Sequence, residues 1–224
     1  MTEPEANDAV RDADTSPWRP DWIALAIAAL VLVFAGSVGG WLVARDDSSS
    51  FNDADIGFLD DMVQHHSGAI TLGFEYLQAR GDGPMGHYAR EIVIEQSQEV
   101  TQMNALLAEV PDHETIGDGV SMEWMGAPVR TPRMPGMATA DQITELGASH
   151  DLAADDLFSE LMIRHHAAGV AMADHAAAHG ENSTVARLAR AMARVQRQEM
   201  AAMNAARETL GLVPVSTDPP STRS

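Results

Sequence analysis

Apolar residues recur at three- and four-residue spacing through four long stretches, the period of amphipathic helices. The first predicted helix starts near Asn52 or Asp53, both good N-caps, and runs to about Arg80. Gly81-Asp82-Gly83-Pro84 is a turn by composition, and a second helix runs from about Met85 to Glu109, before Pro111. A third runs from about Asp151 to His179 with Gly180 as its stop, and a fourth from Asn182 or Ser183 to about Leu210. Residues 111–138 hold four prolines and no helical period. Thr139-x-x-Gln142 is a capping-box pattern opening a short helix to about Ser149. Two helical hairpins, 51–110 and 151–212, joined by a Met-rich crossover at 111–150, predict an all-α four-helix bundle.

The two hairpins are copies. Phe58, Met62, His65 and His66 align with Phe158, Met162, His165 and His166 at an offset of 100 residues. The same offset places Gln96, Gln98, Glu99, Met103, Asn104 and Ala105 on Gln196, Gln198, Glu199, Met203, Asn204 and Ala205. One offset holding across separate segments indicates an internal duplication. At 100° per residue, Phe58, Met62, His65, Ala69, Leu72 and Tyr76 share one helix face, with His66 at its edge. The facing stripe of the second helix is Ile92, Gln96, Glu99, Met103 and Leu106. A carboxylate inside an apolar stripe costs several kcal/mol unless it has a partner.

Hairpin geometry identifies that partner. His65 and His66 lie 17 and 16 residues before the turn at Asp82, and Glu99 lies 17 after it, so equal helical rise sets them at one level. Met62 and Met103, 20 before and 21 after, share the next level. The second hairpin, turning near Glu181, repeats these layers. With the two tight turns at one end, the interior is expected to hold a layer of His65, His66, His165, His166, Glu99 and Glu199. Beside it, away from the turns, comes a layer of Met62, Met103, Met162 and Met203. The crossover methionines Met122, Met125, Met134 and Met137 return at that end and are weaker candidate metal ligands, with hydrophobic lid packing as the alternative.

Composition narrows the chemistry. The net charge of −19 disfavours nucleic acid and suits cations. The absence of cysteine excludes disulfides, thiolate zinc sites and cysteine catalysis. No nucleophile has an attendant base, and there is no phosphate loop. Imidazole and thioether donors together favour copper, as Cu(I), over iron or zinc, and the glutamates either ligate or orient the imidazoles. Di-iron bundles use Glu-x-x-His, whereas this chain has Met-x-x-His. Two other readings stay open: a dinuclear-metal redox enzyme, and a metal-free bundle whose His–Glu network fixes helix register or binds a partner. His175 and His179, one helical turn apart, are a weaker surface pair.

Residues 1–21 are acidic and proline-containing, the composition of a disordered tail. Trp22 to Ala44 carries no charge and, at about 1.5 Å per residue, spans a hydrocarbon core of about 30 Å. Its terminal tryptophans suit the interface, and Leu42-Val43-Ala44 is a poor cleavage site. This predicts an uncleaved single-pass anchor at 22–44 with a linker at 45–50. Arg11 and Arg19 before it, against Arg45 after it, favour a cytoplasmic N-terminus and an extracytoplasmic domain. Residues 213–224 read as a second disordered tail.

Phe58-x-x-x-Met62-Val63-x-His65-His66-x-x-Ala69-Ile70, Leu161-Met162-Ile163-x-His165-His166-x-x-Gly169, Met134-Pro135-Gly136-Met137-Ala138 and the two Gln-x-x-Glu-x-x-x-Met segments resemble the signature of the domain of unknown function 305 family over about residues 51–212. The resemblance implies a ferritin-like four-helix fold, secretion or membrane anchoring, and copper binding of the kind linked to copper tolerance in some periplasmic members. A copper-transfer partner would follow from such a role.

Overall fold

A computed structural model of the chain describes residues 50–113 and 119–219. Five helices carry the fold: α1 (Asp53–Arg80), α2 (Gly86–Leu107), the short α3 (Ala140–Ala148), α4 (Asp151–His179) and α5 (Ser183–Thr209). The domain is mostly helical. Among the described residues no helix is long and apolar enough to cross a membrane. The stretch 22–44 and the N-terminal tail lie outside them.

The helices begin where local hydrogen bonding favours it. Asn52 and Asp55 form a reciprocal capping box at α1, and Thr139 and Gln142 form one at α3. Asn182 accepts from the amides of Thr184 and Val185 at α5. The crossover is not irregular throughout. Val120–Ser121 (β1) pairs antiparallel with Val129–Arg130 (β2), with 3-10 turns at Glu123–Met125 and Thr131–Arg133. Asp61, buried on α1, accepts from the Met122 amide and the Trp124 indole, both at 2.7 Å, and so fixes the crossover to the helix. The chain after α5 is also tied down. Arg207 Nε donates to the Val213 carbonyl and Asn204 exchanges two hydrogen bonds with the Val215 backbone. Residues 213–215, expected to be disordered, therefore lie on the helical domain.

α1 packs on α2 and α4 on α5, as hairpins, and α1 also packs along α4. The direction of that last contact departs from expectation. Asp55, near the start of α1, accepts from the backbone amides of Glu181 and Asn182, both at 2.9 Å, at the second tight turn. Asp155, near the start of α4, accepts from Tyr76 Oη at 2.6 Å and pairs with Arg80 Nε at 2.9 Å, beside the first turn. The hairpins thus run head to tail, with their tight turns at opposite ends. Gly180 has extended backbone, φ −69° and ψ 149°, so it is not a left-handed helix stop. A Cβ there would collide with the Asp55 carboxylate, which is why the position is glycine.

Head-to-tail packing splits the core into two apolar clusters on either side of the histidines. One contains Phe58, Met62 and Met103 with Met172, Val185 and Met192. The other contains Phe158, Met162 and Met203 with Leu72, Met85 and Ile92. These are equivalent residues exchanged between the halves. The single four-methionine layer expected from the hairpin register does not form. Met62 and Met103 lie on one side, Met162 and Met203 on the other, because each layer is carried to the opposite end by its own hairpin.

Asp55 is fully buried and its carboxylate serves two amides at the start of α5. Asp55→Ala is expected to destabilise the domain by about 2–4 kcal/mol, as expected for leaving charge-accepting helix-end donors unpaired. Urea unfolding checks this; a loss below about 1 kcal/mol would show that water replaces the carboxylate.

Candidate functional site

The four histidines meet where α1 crosses α4. Each follows a Met-x-x spacing that places the first ring on the inward face and the second at its edge, and all four are fully buried. The His65 and His165 rings face each other with centroids 3.7 Å apart. The His165 and His166 centroids are 6.0 Å apart. Glu99 and Glu199 reach the same level from α2 and α5. His66 Nε2 and His166 Nε2 each lie 2.8 Å from the Oε2 of their own hairpin's glutamate. The six residues expected at one level are therefore together.

Each imidazole is held by one nitrogen. His65 Nε2 donates to the Pro135 carbonyl at 3.3 Å, and His165 Nε2 to the His65 carbonyl at 2.9 Å. His66 and His166 direct Nε2 at carboxylates. All four acceptors are oxygens with no proton to give, so in the neutral ring Nε2 carries the hydrogen and Nδ1 carries the lone pair. Burial pushes His65 down to about 3, aided by the neighbouring His66 imidazole. Burial, with His65 and His166 beside it, holds His165 well below the ordinary histidine range. These two rings are neutral. The Nδ1 atoms of all four histidines are buried without a hydrogen-bond partner among the described residues. So are Oε1 of Gln96 and both amide atoms of Gln196.

The crossover loop covers the site. Met134-Pro135-Gly136-Met137 lies over the helix crossing, with Gly136 at φ 81°, a left-handed conformation that favours glycine. A Cβ on Gly136 would also meet Ala168, the Arg164 carbonyl and His165 within 3 Å. The methionines sort by depth. Met122 and Met134 are buried, while Met125 and Met137 are partly buried against the same cluster. Two small residues open room at the histidines. A Cβ on Gly68 would be 3.0 Å from Met137 Sδ and 3.6 Å from His165 Nε2. A Cβ on Gly169 would meet Gln196 Oε1 at 2.5 Å and His65 Cε1 at 3.3 Å. Thus Met137 approaches His165 over Gly68, and Gln196 approaches His65 over Gly169.

Sequence reasoning left several site residues unassigned. The Pro135 carbonyl carries no side-chain signal. Gln96 and Gln196 are legible as polar positions in apolar stripes. Asp55 and Asp155 fall at the duplication offset and are fully buried, which marks them as a structural pair. The surface pair His175 and His179 stacks at 4.0 Å, with His179 Nδ1 engaged by the His175 carbonyl. That nitrogen is occupied.

The family model for domain of unknown function DUF305 matches residues 55–207. The chain belongs to this family. Its structure is similar to that of a DUF305 protein from Streptomyces coelicolor, described as secreted, at 28% identity and a TM-score of 0.63, over 73% of this chain and 96% of that one. It is also similar to a DUF305 fragment from Deinococcus radiodurans, at 29% identity and a TM-score of 0.58, over 73% and 99% of the two chains. No curated protein matches the chain. The matched residues take in the duplicated His-His and Gln-x-x-Glu motifs and leave their chemistry open. Among the described residues, no group of three or more His, Asp or Glu side chains is arranged to hold a metal ion.

The neutral buried rings give a sign for acid stability. His65 binds its proton with an ordinary value near 6.5 when unfolded and about 3 when folded, so the unfolded chain binds more protons in that window. Stability of the metal-free protein is therefore full above pH 6.5 and is lost progressively as pH falls toward about 3. Denaturation midpoints across this range are expected to fall steeply in the wild type and less steeply in His65→Asn/His165→Asn. Equal slopes would place the acid sensitivity elsewhere.

Proposed function

We propose that this DUF305 protein is a membrane-anchored, extracytoplasmic copper-binding protein that holds Cu(I) among the histidines of a ferritin-like four-helix bundle. One observation carries the reading: four buried imidazoles, each anchored through Nε2, each with an unpartnered Nδ1. That is the state of a ligating histidine, whose other nitrogen is oriented by a carboxylate or carbonyl. Glu99 and Glu199 orient His66 and His166, Pro135 orients His65, and the backbone of His65 orients His165. Because the glutamates are engaged with imidazole, their role is orientation. Imidazole supplemented by thioether suits a soft ion satisfied by few donors. Met137 places a sulfur beside Gly68 near His165, with Met62, Met103, Met162 and Met203 flanking the level.

The role that fits is sequestration or delivery of copper at the cell surface, with residues 22–44 as the anchor and a transfer partner outside the chain. The secreted description of the Streptomyces coelicolor protein supports the extracytoplasmic side. A metal-free His–Glu network that fixes helix register is the second reading, favoured by the absence, among the described residues, of a three-ligand group. A dinuclear redox centre is less consistent with glutamates already committed to imidazoles.

Titration of the purified full chain with Cu(I) against bicinchoninate separates the two readings. Binding is expected in the wild type and is expected to be lost in His65→Ala/His66→Ala/His165→Ala/His166→Ala. His165 and His65 stay neutral in acid, so binding is expected to persist well below pH 6.5. No uptake by either protein would leave the structural network as the better account. Equal uptake by both would move copper to other side chains.

A further inference from the structure

The histidine level has two sides. One is closed by the Met134–Met137 loop, whose Pro135 carbonyl bonds His65. The other faces α2 and α5, which contact each other. Glu99 and Glu199 sit on that side, 23% and 17% exposed, with their inner oxygens bonded to fully buried rings. They link the buried rings to partly exposed carboxylates. Glu95, one turn before Glu99, adds a third carboxylate. Its carboxyl is raised above the ordinary range by burial and then by the charges of Glu199, Glu99 and Glu91. Carboxylates from two helices thus act on one another at this rim.

Beneath this rim the polar groups have no partners. Gln96 follows Glu95 and Gln196 lies one turn before Glu199, and both are almost fully buried. Gln96 Oε1 and both amide atoms of Gln196 are unbonded. Gln196 Oε1 is directed past Gly169 toward the His65 ring. The two halves differ here, because the offset places Val195 opposite Glu95 and Ala191 opposite Glu91. The extra carboxylates belong to α2 alone and are therefore not needed for the duplicated architecture.

We propose that a metal cation enters between α2 and α5, captured at the rim by Glu95, Glu99 and Glu199 and passed between Gln96 and Gln196 to the histidine nitrogens. This rests on the metal-binding reading above. The carboxylates attract the cation by charge, and the amide oxygens give it polar contacts where the interior is otherwise apolar. The Nδ1 lone pairs of His65 and His165 receive it without releasing a proton, so their Nε2 hydrogen bonds survive loading. The loop side, closed by Pro135 and Gly136 against the helix backbone, is not the route.

Quench-flow loading of the full chain with Cu(I) in dilute acetonitrile, using bicinchoninate to trap unbound ion, tests the route. Glu95→Lys is expected to slow uptake by about tenfold at low salt, the scale of electrostatic steering. Glu95→Gln is expected to slow it less, and both are expected to reach the wild-type copper content. Added salt is expected to slow the wild type and leave Glu95→Lys little changed. Asp141→Lys, on α3 at the loop side, makes the same charge change and is expected to load at the wild-type rate. Wild-type uptake with Glu95→Lys equally fast would overturn the entrance and leave the metal site standing. Loss of copper content in Glu95→Lys alone would make Glu95 a ligand and also overturn it. Absence of uptake by the wild type would remove the metal reading itself.

Discussion

The domain depends on one contact at its centre. The His165 ring donates to the main-chain carbonyl of His65 at 2.9 Å and faces the His65 ring at 3.7 Å. This sets α1 against α4 at the one level where duplicated residues meet their own copies. Everything else is exchanged across that level. Phe58 and Met62 pack with Met172 and Met192 on one side, and Phe158 and Met162 with Leu72 and Ile92 on the other. Asp55 and Asp155 lock the two ends to the opposite hairpin's turn. A shift of α1 along α4 would break both ends at once.

The same centre is costly. Four imidazoles lose water, and burial drives His65 and His165 to their neutral forms. One nitrogen of each ring recovers a hydrogen bond, and the other recovers none. A structural network under selection for stability alone would pair both nitrogens or replace the rings with apolar side chains. The half-satisfied state is consistent with a site held ready for an electron-pair acceptor. Proton competition for His65 Nδ1 sets in only near pH 3, so burial supplies a ligand that acid does not readily remove.

Much of this was legible in the sequence, and the part that was not has a physical cause. Helix ends were readable because capping is local: Asn52, Thr139 and Asn182 declare themselves within three residues. The level shared by His66 and Glu99 was readable because a tight turn fixes register within a hairpin. The direction of one hairpin against the other was not, since parallel and antiparallel packings bury the same stripes. Buried Asp55 and Asp155 decide it, and their partners are backbone amides and a phenol far along the chain. The methionines were misplaced for that reason alone. The Pro135 carbonyl and the tether of Val215 were invisible because main-chain acceptors leave no mark in the sequence.

The most direct test is the protonation state of the histidine nitrogens, read by long-range proton–nitrogen NMR on the metal-free protein and again after one equivalent of Cu(I). The account predicts Nε2 protonated and Nδ1 bare for His65 and His165, with Nδ1 resonances of the histidine level displaced by Cu(I). Protonated Nδ1 atoms, or bare ones that Cu(I) leaves unmoved, would contradict it.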